Sequence, residues 1–128
     1  PVLPSAAKVI TTDAMKRARA AAAEVYVDDR IKDYIVSIVH ATRRPAEFKL
    51  DIAGLVQYGA SPRATIFLTT ASKAHAFIRG RGYVTPEDVK AIGADVLRHR
   101  LILTYEAEAE EVTTEEIVRR VFDAIEVP

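Results

Sequence analysis

The residues with the most chemical promise are Gly59-Ala60-Ser61-Pro62-Arg63-Ala64, a string that reads as a helix start with an arginine in its first turn. Ser61 is a favoured N-cap, Pro62 suits the first helical position where no amide hydrogen is needed, and Gly59 lets the chain turn in. Arg63 is the anomaly. A helix N-terminus carries partial positive charge and unpaired amide hydrogens, so a cation there costs about 0.3–1 kcal/mol unless something negative sits close by. Two resolutions are open: the guanidinium bends into water, or an anion such as a phosphate, absent from the segment itself, answers it.

Little else in the chain points to a reaction. There is no Gly-x-x-x-x-Gly-Lys-Ser/Thr phosphate loop, no Gly-x-Gly-x-x-Gly, no Gly-x-Ser-x-Gly and no His-Glu-x-x-His. Cysteine is absent, which excludes thiol nucleophiles, disulfides and thiolate metal sites. His40, His75 and His99 stand apart, none with a second ligand at i+3 or i+4, so no metal site is expected. His75 reads as a hydrogen-bonded core residue. Arg98-His99-Arg100 reads as a solvated helix end, with a phosphate or partner contact as the lesser alternative. Glu106, Glu108, Glu110 and Glu111 lack the glycine turn and spacing of a calcium loop and read as a solvated linker. Arg43-Arg44 suits a helix C-terminus, and the rings of Tyr34 and Tyr58 suit the core or its margin.

A chain of 128 residues fits one domain with a single core. Its 18 basic residues balance 18 acidic ones, against a surface that attracts nucleic acid as a whole. No apolar stretch approaches the roughly 18 residues of a membrane span, and no signal peptide is visible. These features predict a soluble, cytoplasmic protein. The start at Pro1-Val2-Leu3-Pro4, without methionine, points to a processed chain or to a piece of a longer one.

The elements that must position Arg63 follow from periodicity and caps. Residues 1–10 read as an arm or the end of a linker. Thr11 caps a helix to about Glu24, with Met15, Ala18 and Ala22 at helical spacing. Val25-Tyr26-Val27 is a connector or a three-residue strand. Asp28 or Asp29 starts a second helix to about Arg43, with Ile31, Tyr34, Ile35, Ile38, Val39 and Thr42 on its inner side, and Pro45 ends it. The run around residues 51–56 suits one turn of helix. A central helix from Ser61 to about Arg79 turns Ala64, Phe67, Leu68, Ala71, Ala74, His75 and Ile78 inward. Gly80-Arg81-Gly82 terminates it, and Tyr83-Val84 re-enters the core. Thr85-Pro86-Glu87-Asp88 starts the next helix, which buries Val89, Ile92, Val96 and Leu97. Leu101–Tyr105 could pair as a short strand with Val25–Val27 or Tyr83–Val84. Thr113-Thr114-Glu115-Glu116 starts a last helix burying Ile117, Val121, Phe122 and Ile125. The expected fold is mainly α, a bundle of about five helices with at most a very short β-pair.

Four blocks in order, Tyr34-Ile35-Val36 with Ala41-Thr42-Arg43, then residues 58–64, then residues 79–90, then Val96-Leu97-Arg98-His99-Arg100-Leu101, strongly resemble the C-terminal lid of the MoxR family of AAA+ ATPases. The resemblance spans about residues 9–128 in register. His75 stands where the family more often has tyrosine, and Gly82 where it more often has an acidic residue. The resemblance implies an AAA+ helical lid over residues 11–128, without the α/β core that carries the phosphate loop and metal-binding acids. It implies that Arg63 is the sensor 2 arginine, reaching the γ-phosphate of ATP held, with magnesium, by that core. By the same similarity Ser61 and Pro62 belong to the nucleotide site, Pro62 packs near the adenine, and Tyr34 or Ile35 forms the opposite wall.

The implied parent is an ATPase that works in hexameric rings, in chaperone-like remodelling or metal-cofactor insertion, with von Willebrand A domain proteins. The implied partners are its own core domain and neighbouring subunits, not nucleic acid or membrane. Alone, the chain is expected to hydrolyse nothing. Two other readings stand beside this one. A free-standing interaction module would need an exposed apolar stripe, whereas most strongly apolar positions are assigned to inner faces. A nucleic-acid-binding helical domain would draw on Arg43, Arg44, Arg63, Arg79, Arg81, Arg98 and Arg100.

Overall fold

The structure, a computed structural model, describes residues 2–128. Helix α1 spans Thr12–Ala23, α2 Asp29–Arg43, α3 Arg63–Ile78, α4 Pro86–Leu97, α5 Tyr105–Ala109 and α6 Thr114–Ala124. Strands β1 (Val56–Tyr58) and β2 (Ile102–Leu103) form one antiparallel pair, and 3-10 turns follow α2 and α4. The mainly helical class holds. Residues 2–10 are exposed and lie in no helix or strand. No helix among the described residues is long and apolar enough to cross a membrane.

Cap chemistry sets most helix starts. The hydroxyls of Thr11, Thr104 and Thr113 accept from the amides of Ala14, Ala107 and Glu116, and Asp28 accepts from the Arg30 amide at 2.9 Å. These bonds satisfy donors that the first turn leaves open. Helix α3 lies at the centre, packed on α1, α2 and α4, and α6 closes the bundle against α2 and α4. Ile35, Ile38, Ile52, Leu68, Leu97 and Ile117 form the largest part of the sealed core.

Four expectations need correction. First, α3 turns inward the row Ala64, Leu68, Ser72 and Ala76, while Phe67 is 48% and Ile78 80% exposed. Ala64, Ser72 and Ala76 let α3 approach its neighbours closely around Leu68, and that packing outranks side-chain hydropathy. Surface apolar groups are therefore more numerous than expected, with Ile66, Tyr58 and Tyr105 among them. Second, β2 pairs with β1, through Val56 opposite Leu103 and Tyr58 opposite Ile102. The segments expected to receive it instead bridge each other at Tyr26 and Tyr83. Third, residues 52–56 do close one turn, with the Leu55 and Val56 amides donating to Ile52 O at 2.9 and 3.2 Å, but the chain then runs straight into β1, a strand that was not expected. Fourth, the glutamate-rich stretch is not all linker, because Thr104 caps α5 and Ala107 is fully buried beneath it.

The far end of α3 is fixed by a polar knot. Gly80, at φ 75°, closes the helix: its amide donates to Phe77 O at 2.9 Å and the Arg81 amide to Ala76 O at 2.9 Å, the pairing of a left-handed C-terminal cap. That reversal sends Arg81 back onto Asp88, a fully buried carboxylate at the start of α4. Arg81 donates through both terminal nitrogens, at 2.7 and 2.5 Å. The Thr85 amide donates at 2.8 Å and its hydroxyl at 3.1 Å, and His75 Nδ1 lies 2.7 Å away. His75 is thus hydrogen-bonded at the core margin, as expected. Burial opposes charge on Asp88, but the Arg81 fork, the Thr85 amide, His75 and the Thr85 hydroxyl together overcome it and hold the carboxyl well below the usual carboxylate range.

Because the folded carboxyl titrates below its unfolded value, its contribution is complete above the unfolded carboxylate range and drains away as pH falls toward the folded value. Asp88→Asn should lower stability at pH 7 by about 2–4 kcal/mol, the scale of a broken buried ionic network. In thermal melts the gap between wild type and variant should narrow as pH drops below about 5; a gap that stays constant to pH 2 contradicts this account.

Candidate functional site at the start of α3

The site begins at the end of α2. Thr42 is 1% exposed; its hydroxyl donates to Val39 O at 2.7 Å and accepts from the Ala60 amide at 3.0 Å. Arg43 donates to Ala60 O at 3.2 Å. Both polar backbone groups of residue 60 are therefore tied to consecutive residues of α2. Gly59 makes the approach possible: a Cβ there would lie 2.3 Å from Thr42 O and 2.7 Å from Arg43 N. The glycine is required less for turning than for this contact. Ala60 and Ala64, both fully buried, keep the junction tight on the α3 side.

From this clamp the chain enters α3. Pro62 adopts helical dihedrals, and the amides of Ala64 and Thr65 donate to the carbonyls of Ser61 and Pro62 at 2.8 and 3.1 Å. Pro62 thus enters with helical dihedrals at the cap position immediately before Arg63, one place earlier than expected. Ser61 does not cap with its side chain, since no side-chain cap bond forms at this helix start. Its carbonyl, not its hydroxyl, meets the first free amide.

Arg63 is exposed and takes part in none of the ion pairs formed among the described residues. The other five helices carry acidic residues in the first turn, whereas α3 carries none. The charge mismatch is therefore unanswered from within the fold. Beside it opens a groove lined by Val36, Val39, His40, Arg43, Arg44 and Pro62. Sequence reasoning missed its α2 side, although positions 36, 39, 40, 43 and 44 form a helical stripe of their own.

Ser61, Pro62 and Arg63 are contiguous at the surface, and Pro62 shares the groove with α2. Tyr34 and Ile35, expected as the wall opposite Pro62, lie instead on the core side of α2, at 3% and 1% exposure, and do not line that groove. The Tyr34 ring meets Phe122 edge-on at 6.5 Å, and its hydroxyl is buried without a partner. Burial, then the Glu87 charge, pushes its phenol up. Tyr58, placed in sequence at the core or its margin, is exposed. No group of three or more His, Cys, Asp or Glu able to hold a metal occurs among the described residues. Of the other arginines singled out in the sequence, Arg81 is engaged by Asp88, Arg98 by Asp95 and Glu115, and Arg100 by the Phe67 ring at 4.6 Å, while Arg79 is exposed and joins no ion pair among the described residues.

Comparison with known proteins converges on one family. A family model described as the AAA lid domain matches residues 49–121. The chaperone MoxR1 of Mycobacterium tuberculosis is 40% identical over 126 residues, 98% of this chain and 33% of that protein. The protein MoxR of Methylorubrum extorquens is 32% identical over 111 residues, 81% of this chain and 32% of that protein. A crystal structure of a candidate ATPase from Cytophaga hutchinsonii superposes with a TM-score of 0.82 at 41% identity, covering 85% of this chain and 33% of that one. The chain spans about a third of the length of these relatives.

The clamp generates a stability test. Gly59→Ala sets a methyl against backbone that cannot yield by side-chain rotation, and should cost about 1–3 kcal/mol. Gly82→Ala, where a Cβ meets nothing within 4 Å, should stay within about 0.5 kcal/mol. Equal melting temperatures for the two variants contradict the close approach.

Proposed function

The chain belongs to the AAA lid domain family, as the lid of a MoxR-type AAA+ ATPase, and from that premise we propose that Arg63 is its sensor 2 arginine. The observation that carries this reading is the exposed, unpaired guanidinium at a helix start that holds no acidic residue. Against a polyphosphate the awkward charge becomes useful, because a guanidinium offers several donors to phosphate oxygens beside the positive end of the helix.

In the full-length protein, ATP and magnesium are held by the α/β core, and Arg63 reaches the γ-phosphate from the lid. Ser61 and Pro62 border the nucleotide, with Pro62 and the α2 groove near the adenine. Residues 1–10 form the arm leading in and residues 11–128 the lid.

Loss of the γ-phosphate removes the anion that holds Arg63, so hydrolysis changes lid orientation. A lid so coupled transmits work to its own core domain and to neighbouring subunits of a hexameric ring. Chaperone-like remodelling or cofactor insertion, with von Willebrand A domain proteins and in the cytoplasm, is the setting we assign to that work.

Arg63→Ala in the full-length ATPase should lower ATP turnover by about tenfold or more, the scale of charge-stabilising arginines. The domain should keep its fold, since the side chain is exposed. Turnover within about twofold of wild type refutes the sensor assignment.

A further inference from the structure

We infer that Thr42 is a positioning residue for Arg63, acting through the backbone of Ala60; this inference rests on the sensor reading of Arg63. The side chain of Thr42 uses both of its hydrogen-bonding capacities. Its proton goes to Val39 O at 2.7 Å, inside α2. That bond fixes the rotamer and leaves a lone pair aimed at the Ala60 amide, 3.0 Å away. The residue is 1% exposed, so water does not compete for either bond and both gain strength from the low local dielectric.

Residue 60 has no freedom left. Its amide is held by Thr42 and its carbonyl by Arg43 at 3.2 Å, while Gly59 already sits where a Cβ would meet Thr42 O at 2.3 Å. The loop can neither lift from α2 nor press closer. Three residues further on stands Arg63, and the intervening chain is stiff: Pro62 has a fixed φ, and the Ala64 amide returns to Ser61 O at 2.8 Å. The hydroxyl of Thr42 therefore sets where α3 begins relative to α2, and with it where the guanidinium starts its reach. Thr42 touches no nucleotide in this arrangement. Its effect passes through Arg63, and a misplacement of about 1 Å in such a group costs up to about a hundredfold in rate.

The test uses steady-state ATP turnover of the full-length protein in a double-mutant cycle. Thr42→Val keeps the shape and removes the hydroxyl, and kcat should fall about tenfold. Thr42→Ser keeps the hydroxyl and should stay within about twofold of wild type. In an Arg63→Ala background, Thr42→Val should add no further loss, because the group it positions is gone. Should Thr42→Val not fold, the exposed Arg43→Met removes the second strap without entering the core and should show the same dependence on Arg63.

A loss that is equal in both backgrounds, or wild-type turnover in Thr42→Val or in its Arg43→Met substitute, overturns the positioning role while leaving the sensor standing. Wild-type turnover in Arg63→Ala alone overturns the sensor reading, and the positioning role with it.

Discussion

The approach of residues 59–60 to the last turn of α2, at a distance that admits no side chain at position 59, is the constraint from which the rest of the site follows. It demands small residues at 60 and 64, which are fully buried. It places polar backbone out of reach of water, and Thr42 and Arg43 answer the amide and carbonyl so exposed to desolvation. It brings Pro62 over α2 to close one side of the groove. Arg63 then leaves the surface from a defined point, one turn beyond the clamp.

The opposite end of α3 is held by different chemistry. There a left-handed glycine reverses the chain and a buried carboxylate gathers Arg81, Thr85 and His75. One helix is thus pinned at both ends by polar groups removed from water, and between those ends it packs through Ala64, Leu68, Ser72 and Ala76. The helix is thereby tied to α2 at its start and to α4 at its end.

Much of this was legible in the sequence, for reasons that are local. Thr11, Asp28, Thr85 and Thr113 announce helix starts because a cap depends only on the three or four residues that follow it. Arg63 stood out for the same reason, since its conflict with the helix dipole lies within one turn. The inner face of α3 was misread because Ala64, Ser72 and Ala76 carry weak hydropathy, while Phe67 and Ile78 carry strong hydropathy and lie outside. The partner of β2 was misread because a two-residue strand is placed by the loops around it, not by its own pattern. Helix α5 was missed because only Ala107 among its five residues is buried. The groove wall at Val36, Val39 and His40 was hidden by the assignment of α2 to a single inner face, when the helix has two.

Family membership and site geometry meet at one atom group. The comparisons make this an AAA lid of MoxR type, and the fold presents an exposed cation outside every ion pair at the start of its central helix. The most direct test is a structure of the full-length protein with a non-hydrolysable ATP analogue. The account predicts the Arg63 guanidinium within hydrogen-bonding distance of the terminal phosphate, with residues 59–60 still seated on α2. A terminal phosphate answered by another cation, with Arg63 turned into solvent, contradicts it.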